Sequence, residues 1–409
     1  MDSPVEVARR PPPPRPTVGL VLTGGGARSA YQVGVLLALT ELLPRARNPF
    51  PVIVGTSAGA VAACVLAAEA YRWRRAVAGL ERVWANFRTG QVFHVNPAHM
   101  LRSGTHWLLA LASGGLVLSP PKALLDNSPL RQLLATNVDC ASIHRSVARG
   151  HLQGFALCAT SYATGQSVAF FDGRGSIAEW TRAQRIGRRT ELTLDHLMAS
   201  AAIPLLFPPM CIGREYFGDG AMRQLNPLSP AIHLGADRLL IIGVHARRPE
   251  GVGAGSGTGR KMPTPGEVLG YMIDTLFTDQ VYGDLEQIER INQLVHEAPL
   301  AARGLRQVDT LMLAPSIDPR EIAARYTGDM PRSLRALLRV IGGRDVSGYQ
   351  LASYLMFEAG YTRALIELGY RDAMEARAAL VAFMSGEHLT AHALRAGSNG
   401  VREARTPSE

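Results

Sequence analysis

Three short stretches hold residue types that could carry out acyl transfer. The first is Gly55-Thr56-Ser57-Ala58-Gly59, which follows the apolar run PVIV and precedes an alanine-rich segment. A strand passing directly into a helix there would hold Ser57 on a sharp turn at the helix N-terminus, where backbone N–H groups favour developing negative charge. Gly55 and Gly59 would let the backbones approach closely. The same residues also fit a plain turn whose serine caps the helix. The second stretch, TGGGARSA, places Gly24, Gly25 and Gly26 after an apolar run. Successive N–H donors of that kind can stabilise a tetrahedral oxyanion or cradle a phosphate. A dinucleotide fingerprint fails at Ser29, and no P-loop lysine follows, so the oxyanion loop is the favoured reading. Arg28 is placed to hold a phosphate, to pin the loop, or to pair with a surface carboxylate. The third stretch is FGDGAM, in which Asp219 precedes Gly220 and Ala221. Asp-Gly at a strand end is commonly only a turn, but upstream of it stand a serine elbow and a glycine loop.

Ser57 needs a group to take its proton, and two arrangements are open. An α/β-hydrolase would use Ser57, Asp219 and His245 in that chain order. Alternatively Asp219 acts directly, which suits the early position of Ser57 at the end of only the second strand.

The elements that must position these residues can be read from hydropathy. TVGLVL is strand-like, and apolar residues then recur at helical spacing from Tyr31 to Leu43. FPVIVGTS and AGAVAACVLAAEAYRW repeat the plan, so two strand-turn-helix units argue for a parallel sheet covered by helices. Residues 152–171 read as a hairpin, MCIGREYFGDG as a second one turning near Gly213, and RLLIIGVH and VDTLMLAP as late buried strands. A flexible connection, GVGAGSGTGRKMPTPG, precedes a long amphipathic segment from Glu267 to His296, and the pattern beyond Pro331 is helical. Residues 1–16 read as a disordered proline-rich leader, 17–316 as the catalytic domain, 317–387 as a helical extension and 388–409 as a flexible tail.

Composition narrows the class. With 409 residues, 47% hydrophobic and 19% charged, the chain can bury one large core or two ordinary ones. Its net charge is +9, and Lys122 and Lys261 are its only lysines. Arginine suits anionic partners such as phospholipid headgroups. The arginines are spread along the chain rather than striped, so no nucleic-acid partner is expected. Cys64, Cys140, Cys158 and Cys211 lack CxxC spacing and read as reduced core thiols. No signal peptide is visible, and WLLALASGGLVL is too short to span a membrane. The expected compartment is the cytoplasm, with peripheral membrane contact. The insert over residues 92–134 is apolar enough to line an acyl channel, touch a bilayer or form ordinary core, as are Trp84, Phe87 and Trp107.

Taken together, GGGARSA, GTSAGA, ASAAIPLLFPP at residues 199–209 and DGA, in this order, resemble the patatin-like phospholipases. The resemblance covers residues 18–244 and departs at Ser29, where the family often has glycine. It implies a three-layer α/β/α fold with a mostly parallel sheet, and a Ser-Asp dyad without histidine. Ser57 would be the nucleophile, Asp219 the proton acceptor, and the N–H groups of Gly25, Gly26 and Ala27 the oxyanion hole. Gly24, Arg28, Gly55, Gly59, Gly220 and Ala221 would support them. Ester hydrolysis of glycerophospholipids or lysophospholipids would follow through an acyl-enzyme, with no metal or cofactor. A non-catalytic membrane or protein adaptor on the same fold is the competing class. Oligomeric state, headgroup, acyl position and chain length are not legible.

Overall fold

The computed structural model describes residues 16–95, 105, 123–246, 265–297, 305–342 and 348–387. The leader up to residue 15, the connection over 251–264, the tail from 388 and most of the apolar insert, Trp107 included, lie outside the described residues.

In chain order the elements are β1 (Val18–Leu22), α1 (Ala30–Leu42), β2 (Val52–Thr56), α2 (Ala58–Ala68), α3 (Trp73–Trp84), α4 (Ser128–Asn137) and α5 (Ala141–Ala148). Then come β3 (Gly154–Ser161), β4 (Ser167–Gly173), β5 (Trp180–Arg182), β6 (Arg185–Arg189), α6 (Leu194–Ser200), β7 (Met210–Ile212) and β8 (Glu215–Asp219). The chain continues with α7 (Ser229–His233), β9 (Arg238–Ile242), α8 (Pro265–Glu297), β10 (Asp309–Leu313) and α9 (Pro319–Tyr326). The last four helices are α10 (Arg332–Gly342), α11 (Gly348–Leu355), α12 (Ala359–Glu375) and α13 (Arg377–Ser385).

The strands form one sheet in the order β10-β9-β1-β2-β3-β4-β6-β5. From β10 to β3 every pairing is parallel. These inner strands are apolar on both faces, as a sheet covered on both sides requires. Alternation sorts their side chains: Leu20, Leu22 and Ile53 join the core under α1, α2, α3 and the C-terminal helices, whereas Val21, Val52 and Val54 join the core under α7 and the Val281–Ile288 part of α8. The architecture is therefore the expected three-layer α/β/α one, with a helical C-terminal region. Both expected hairpins form, β3 with β4 and β7 with β8. The amphipathic segment begins slightly earlier than periodicity suggests and runs as the single helix α8.

One register detail positions the site. Strand β2 runs along β3 only as far as Thr56, opposite Cys158. From Ala159 onward β8 takes over the same edge from the opposite direction, with Asp219 opposite Ala159. The C-terminal ends of β2 and β8 therefore meet head to head on β3. Ser57 follows one end, and Asp219 is the other.

Candidate active site

Ser57 sits where β2 turns into α2, with φ 55° and ψ −129°. A non-glycine residue holds that conformation only where its surroundings over-determine it. The close approach of α2 does so here: a Cβ on Gly59 would lie 2.4 Å from the Leu22 carbonyl oxygen, and one on Gly55 would lie 2.6 Å from Ala60 Cα. The backbone N–H of Ser57 donates to Ser200 Oγ at 3.0 Å, and Ser200 Oγ donates to the Cys158 carbonyl at 2.6 Å. Ser57 occupies the N-cap position of α2, yet its hydroxyl makes no capping bond. The plain helix-cap alternative does not describe it.

Asp219 is buried beside it. Its Oδ1 accepts from the Ala221 N–H at 2.9 Å, its N–H donates to Ala202 O, and its carbonyl accepts from Thr160 Oγ1. Gly220 lies so close to β3 that a Cβ would fall 2.2 Å from Cys158 O. The other carboxylate oxygen, Oδ2, is buried without a hydrogen-bond partner. Burial pushes the carboxyl up to about 7, and the nearby Ser57 hydroxyl and the Ala221 N–H pull against it. An uncompensated buried lone pair is costly for a fold and useful to a base.

The glycine loop lies between β1 and α1, and a short 3-10 turn over Gly26–Ser29 begins within it. The N–H groups of Gly24, Gly25, Gly26 and Ala27 donate to no carbonyl or side chain among the described residues. Gly26 shares a cavity wall with Ser57. Its φ of 54° favours glycine, and a Cβ there would lie 2.4 Å from the Tyr354 carbonyl oxygen; one on Gly25 would strike Val244. Ser29 is fully buried with its hydroxyl unpartnered.

Arg28 turns inward, away from any surface carboxylate. Its Nε donates to Ser353 Oγ at 2.8 Å, its Nη1 to Asp274 Oδ1 at 3.0 Å and to the Tyr354 hydroxyl at 3.2 Å. Its guanidinium stacks 3.9 Å from the Tyr354 ring centre. His245 belongs to this cluster: Nε2 lies 2.7 Å from the Tyr354 hydroxyl and 3.3 Å from Asp274 Oδ1. Burial lowers the His245 pKa, so the ring is neutral. Burial opposes the Asp274 charge, but hydrogen bonding from His245 and the charge of Arg28 outweigh it and hold the carboxyl far below its usual range. His245 has no hydrogen bond to Ser57 or Asp219, and β1 separates β9 from β2, a lateral gap of about 10 Å. The structure brings Ser57, Asp219 and the glycine loop together and leaves His245 in the network behind the loop.

A cavity of about 260 Å³ opens from Ser57 and Gly26 along α2. Its walls include Val61, Val65, Leu80, Trp84, Phe87, Leu134, Ile203, Phe207 and Phe357, and Glu69, Arg75, Arg82 and Asn137 add polar groups to its lining. Trp84 and Phe87, together with Val92, Leu130, Leu133 and Leu134 of the apolar insert, are cavity wall. Among the described residues no group of His, Cys, Asp and Glu could hold a metal ion.

Hydropathy missed four supporting residues: Ser200, Gln224, Asp274 and Tyr354. Ser200 lies in the quoted ASAAIP block, but nothing in its spacing announces a bond to the Ser57 backbone. Gln224 accepts from Thr56 and donates to Cys158. Asp274 and Tyr354 are separated from Arg28 by most of the chain, so no local signal could name them. The cysteines also differ in part from expectation: all four are free, but Cys211 is exposed, and Cys64 and Cys140 lie with sulfurs 4.0 Å apart.

Comparison with known proteins fits this geometry. The family model for patatin-like phospholipases matches residues 20–232, more than half of the chain, from β1 through the serine turn and Asp219 to α7. The chain belongs to the patatin-like phospholipase family. That membership makes it a lipid acyl hydrolase at the level of the family. Asp274, Tyr354 and His245 lie beyond the patatin match. A comparison with curated proteins finds no match. Among solved structures, VipD from Legionella pneumophila matches at 13% identity over 90% of this chain and 75% of that one, with a TM-score of 0.31, too loose a likeness to bear on the site. No described helix is long and apolar enough to cross a membrane.

Proposed function

We propose that this patatin-family chain hydrolyses carboxylic esters of glycerophospholipids or lysophospholipids with Ser57 as nucleophile and Asp219 as its base. The observation that carries the reading is the Asp219 carboxyl: buried, with Oδ2 free of other protein partners among the described residues, and close enough to the Ser57 hydroxyl to be influenced by it. A carboxylate titrating near 7 is a roughly thousandfold stronger base than one at about 3.9. Asp219 takes the Ser57 proton as Oγ attacks the ester carbonyl, then delivers it to the departing alcohol oxygen. The acyl group is left on Ser57. Asp219 next takes a proton from water, whose oxygen attacks the acyl carbonyl, and returns that proton to Ser57 as the fatty acid leaves. In both tetrahedral intermediates the negative oxygen is stabilised by the free N–H groups of Gly25, Gly26 and Ala27. The apolar cavity accepts the acyl chain, and a net charge of +9 favours work at an anionic lipid surface.

The test is fatty-acid release from a phospholipid and lysophospholipid panel, read by mass spectrometry. Ser57→Ala and Asp219→Ala are expected to abolish it. His245→Gln, which keeps a hydrogen-bonding group toward Tyr354, is expected to retain most of it. Retention in Asp219→Ala would overturn the dyad, and loss in all three variants would favour the triad of Ser57, Asp219 and His245. A Ser57 that fails to react with a fluorophosphonate in folded protein would point instead to the adaptor reading.

A further inference from the structure

The cavity follows α2 from end to end. Ala58, Val61, Val65 and Glu69 all line it, at the three- and four-residue spacing of one helix face. Twelve residues at about 1.5 Å each put its far end about 18 Å from Ser57. Helix α3 supplies the opposing wall, and the Glu69–Arg75 pair at 3.9 Å brings its first turn to the end of α2. Between the exposed Arg75 and Arg82, on the same side of α3, stands Gly79.

Gly79 has no packing reason to be glycine. A Cβ built on it meets nothing within 4 Å, whereas one on Gly34, Gly55 or Gly59 would collide with backbone. Within a helix, glycine is less favourable than alanine. The space it leaves belongs to the cavity.

We infer that the cavity is a tunnel for a single straight acyl chain and that Gly79 determines the chain length it accepts. This rests on the hydrolase reading above and names the substrate feature selected at that site. The carbonyl lies at Ser57, the methylenes run along α2, and the tail passes Gly79 toward the polar rim of Glu69 and Arg75. Each buried methylene adds binding until the tail reaches that polar rim, where the gain stops.

The test uses the full chain and nitrophenyl esters from acetate through butyrate, octanoate and laurate to palmitate. The wild-type kcat/KM is expected to rise with chain length and then level off. Gly79→Leu is expected to move the maximum to shorter chains, cutting the palmitate-to-butyrate ratio about tenfold or more, with butyrate hydrolysis and fluorophosphonate labelling of Ser57 unchanged. Gly79→Ala is expected to shift the profile little. An equal loss at all lengths, or an unchanged ratio in Gly79→Leu, overturns the inference and leaves the hydrolase reading standing. Binding of octanoate and palmitate to Ser57→Ala protein, with and without Gly79→Leu, by calorimetry, reads the tunnel without hydrolysis. Selective loss of palmitate binding supports the inference even if no ester is turned over, and equal binding of both acids in both proteins overturns it.

Discussion

With its carboxyl titrating near 7 in the folded chain, against about 3.9 when unfolded, Asp219 holds its proton more tightly in the native state. Between roughly pH 4 and 7 the folded chain therefore binds protons that the unfolded chain releases, so stability falls as pH rises through that window. Above it the whole cost, on the order of 4 kcal/mol, is present. Asp219→Asn removes this titration. It is expected to melt at a higher temperature than wild type at about pH 8, with the advantage disappearing toward pH 4. Melting curves across that range check it. If Asp219 is the base proposed above, kcat/KM is expected to fall tenfold per pH unit below about 7, as its carboxylate becomes protonated. That Ser57 and Asp219 were worth singling out was legible from GTSAG and DGA. That Asp219 stays unpaired on one oxygen was not, because the absent partner is a property of the packing around it.

At the level of elements, the glycine loop is held from behind by α8 and α11. Arg28 is buried, and Asp274, Ser353 and Tyr354 hold its Nε and Nη1 from elements far along the chain. Truncating one member of a buried ion pair leaves the other charge unpaired, typically at about 3–5 kcal/mol. Asp274→Ala is therefore expected to lose much of its fold stability. Tyr354→Phe keeps the ring over Arg28 and removes only the hydroxyl, at about 1–2 kcal/mol. It is expected to fold, with kcat lowered and KM little changed, since in the proposed mechanism the loop acts on the transition state rather than on the acyl chain. Steady-state kinetics beside a denaturant melt separate the two effects. The strand-turn-helix units and both hairpins were readable because their signals are local: apolar runs, alternation and glycine turns. The order of the strands, and the handover from β2 to β8 along β3, depend on pairings between distant segments.

Across the whole molecule, the C-terminal helices belong to the same packed body as the sheet. Helices α1 and α12 cross in close contact at two glycines: a Cβ on Gly34 would lie 1.9 Å from Ile366 O, and one on Gly369 would lie 2.1 Å from Tyr31 O. Arg238 at the start of β9 donates to the carbonyls of Phe383 and Gly386 at the end of α13 and pairs with Asp309 at 2.8 Å, so the last helix is fastened to the sheet by a cation at its C-terminus. Gly369→Leu is expected to force α12 off α1, lowering the melting temperature by several degrees or more and reducing ester hydrolysis through the displaced α11. A chain ending at residue 316 is expected to expose the buried face of α1 and to aggregate. Size-exclusion chromatography of the two proteins checks this.

Sequence by itself determined the chemistry available and the local elements that present it: a serine on a strand-to-helix turn, a run of glycine N–H donors, and an aspartate at a strand end within an α/β chain. These follow from residue type and short-range periodicity, which need no knowledge of distant contacts. Tertiary structure decided which groups meet. It placed Asp219 rather than His245 beside Ser57, turned Arg28 inward to Asp274 and Tyr354, and left open space along Gly79. Each of these depends on strand register or on packing between segments hundreds of residues apart, where burial sets the charge a group carries and the partner it can reach.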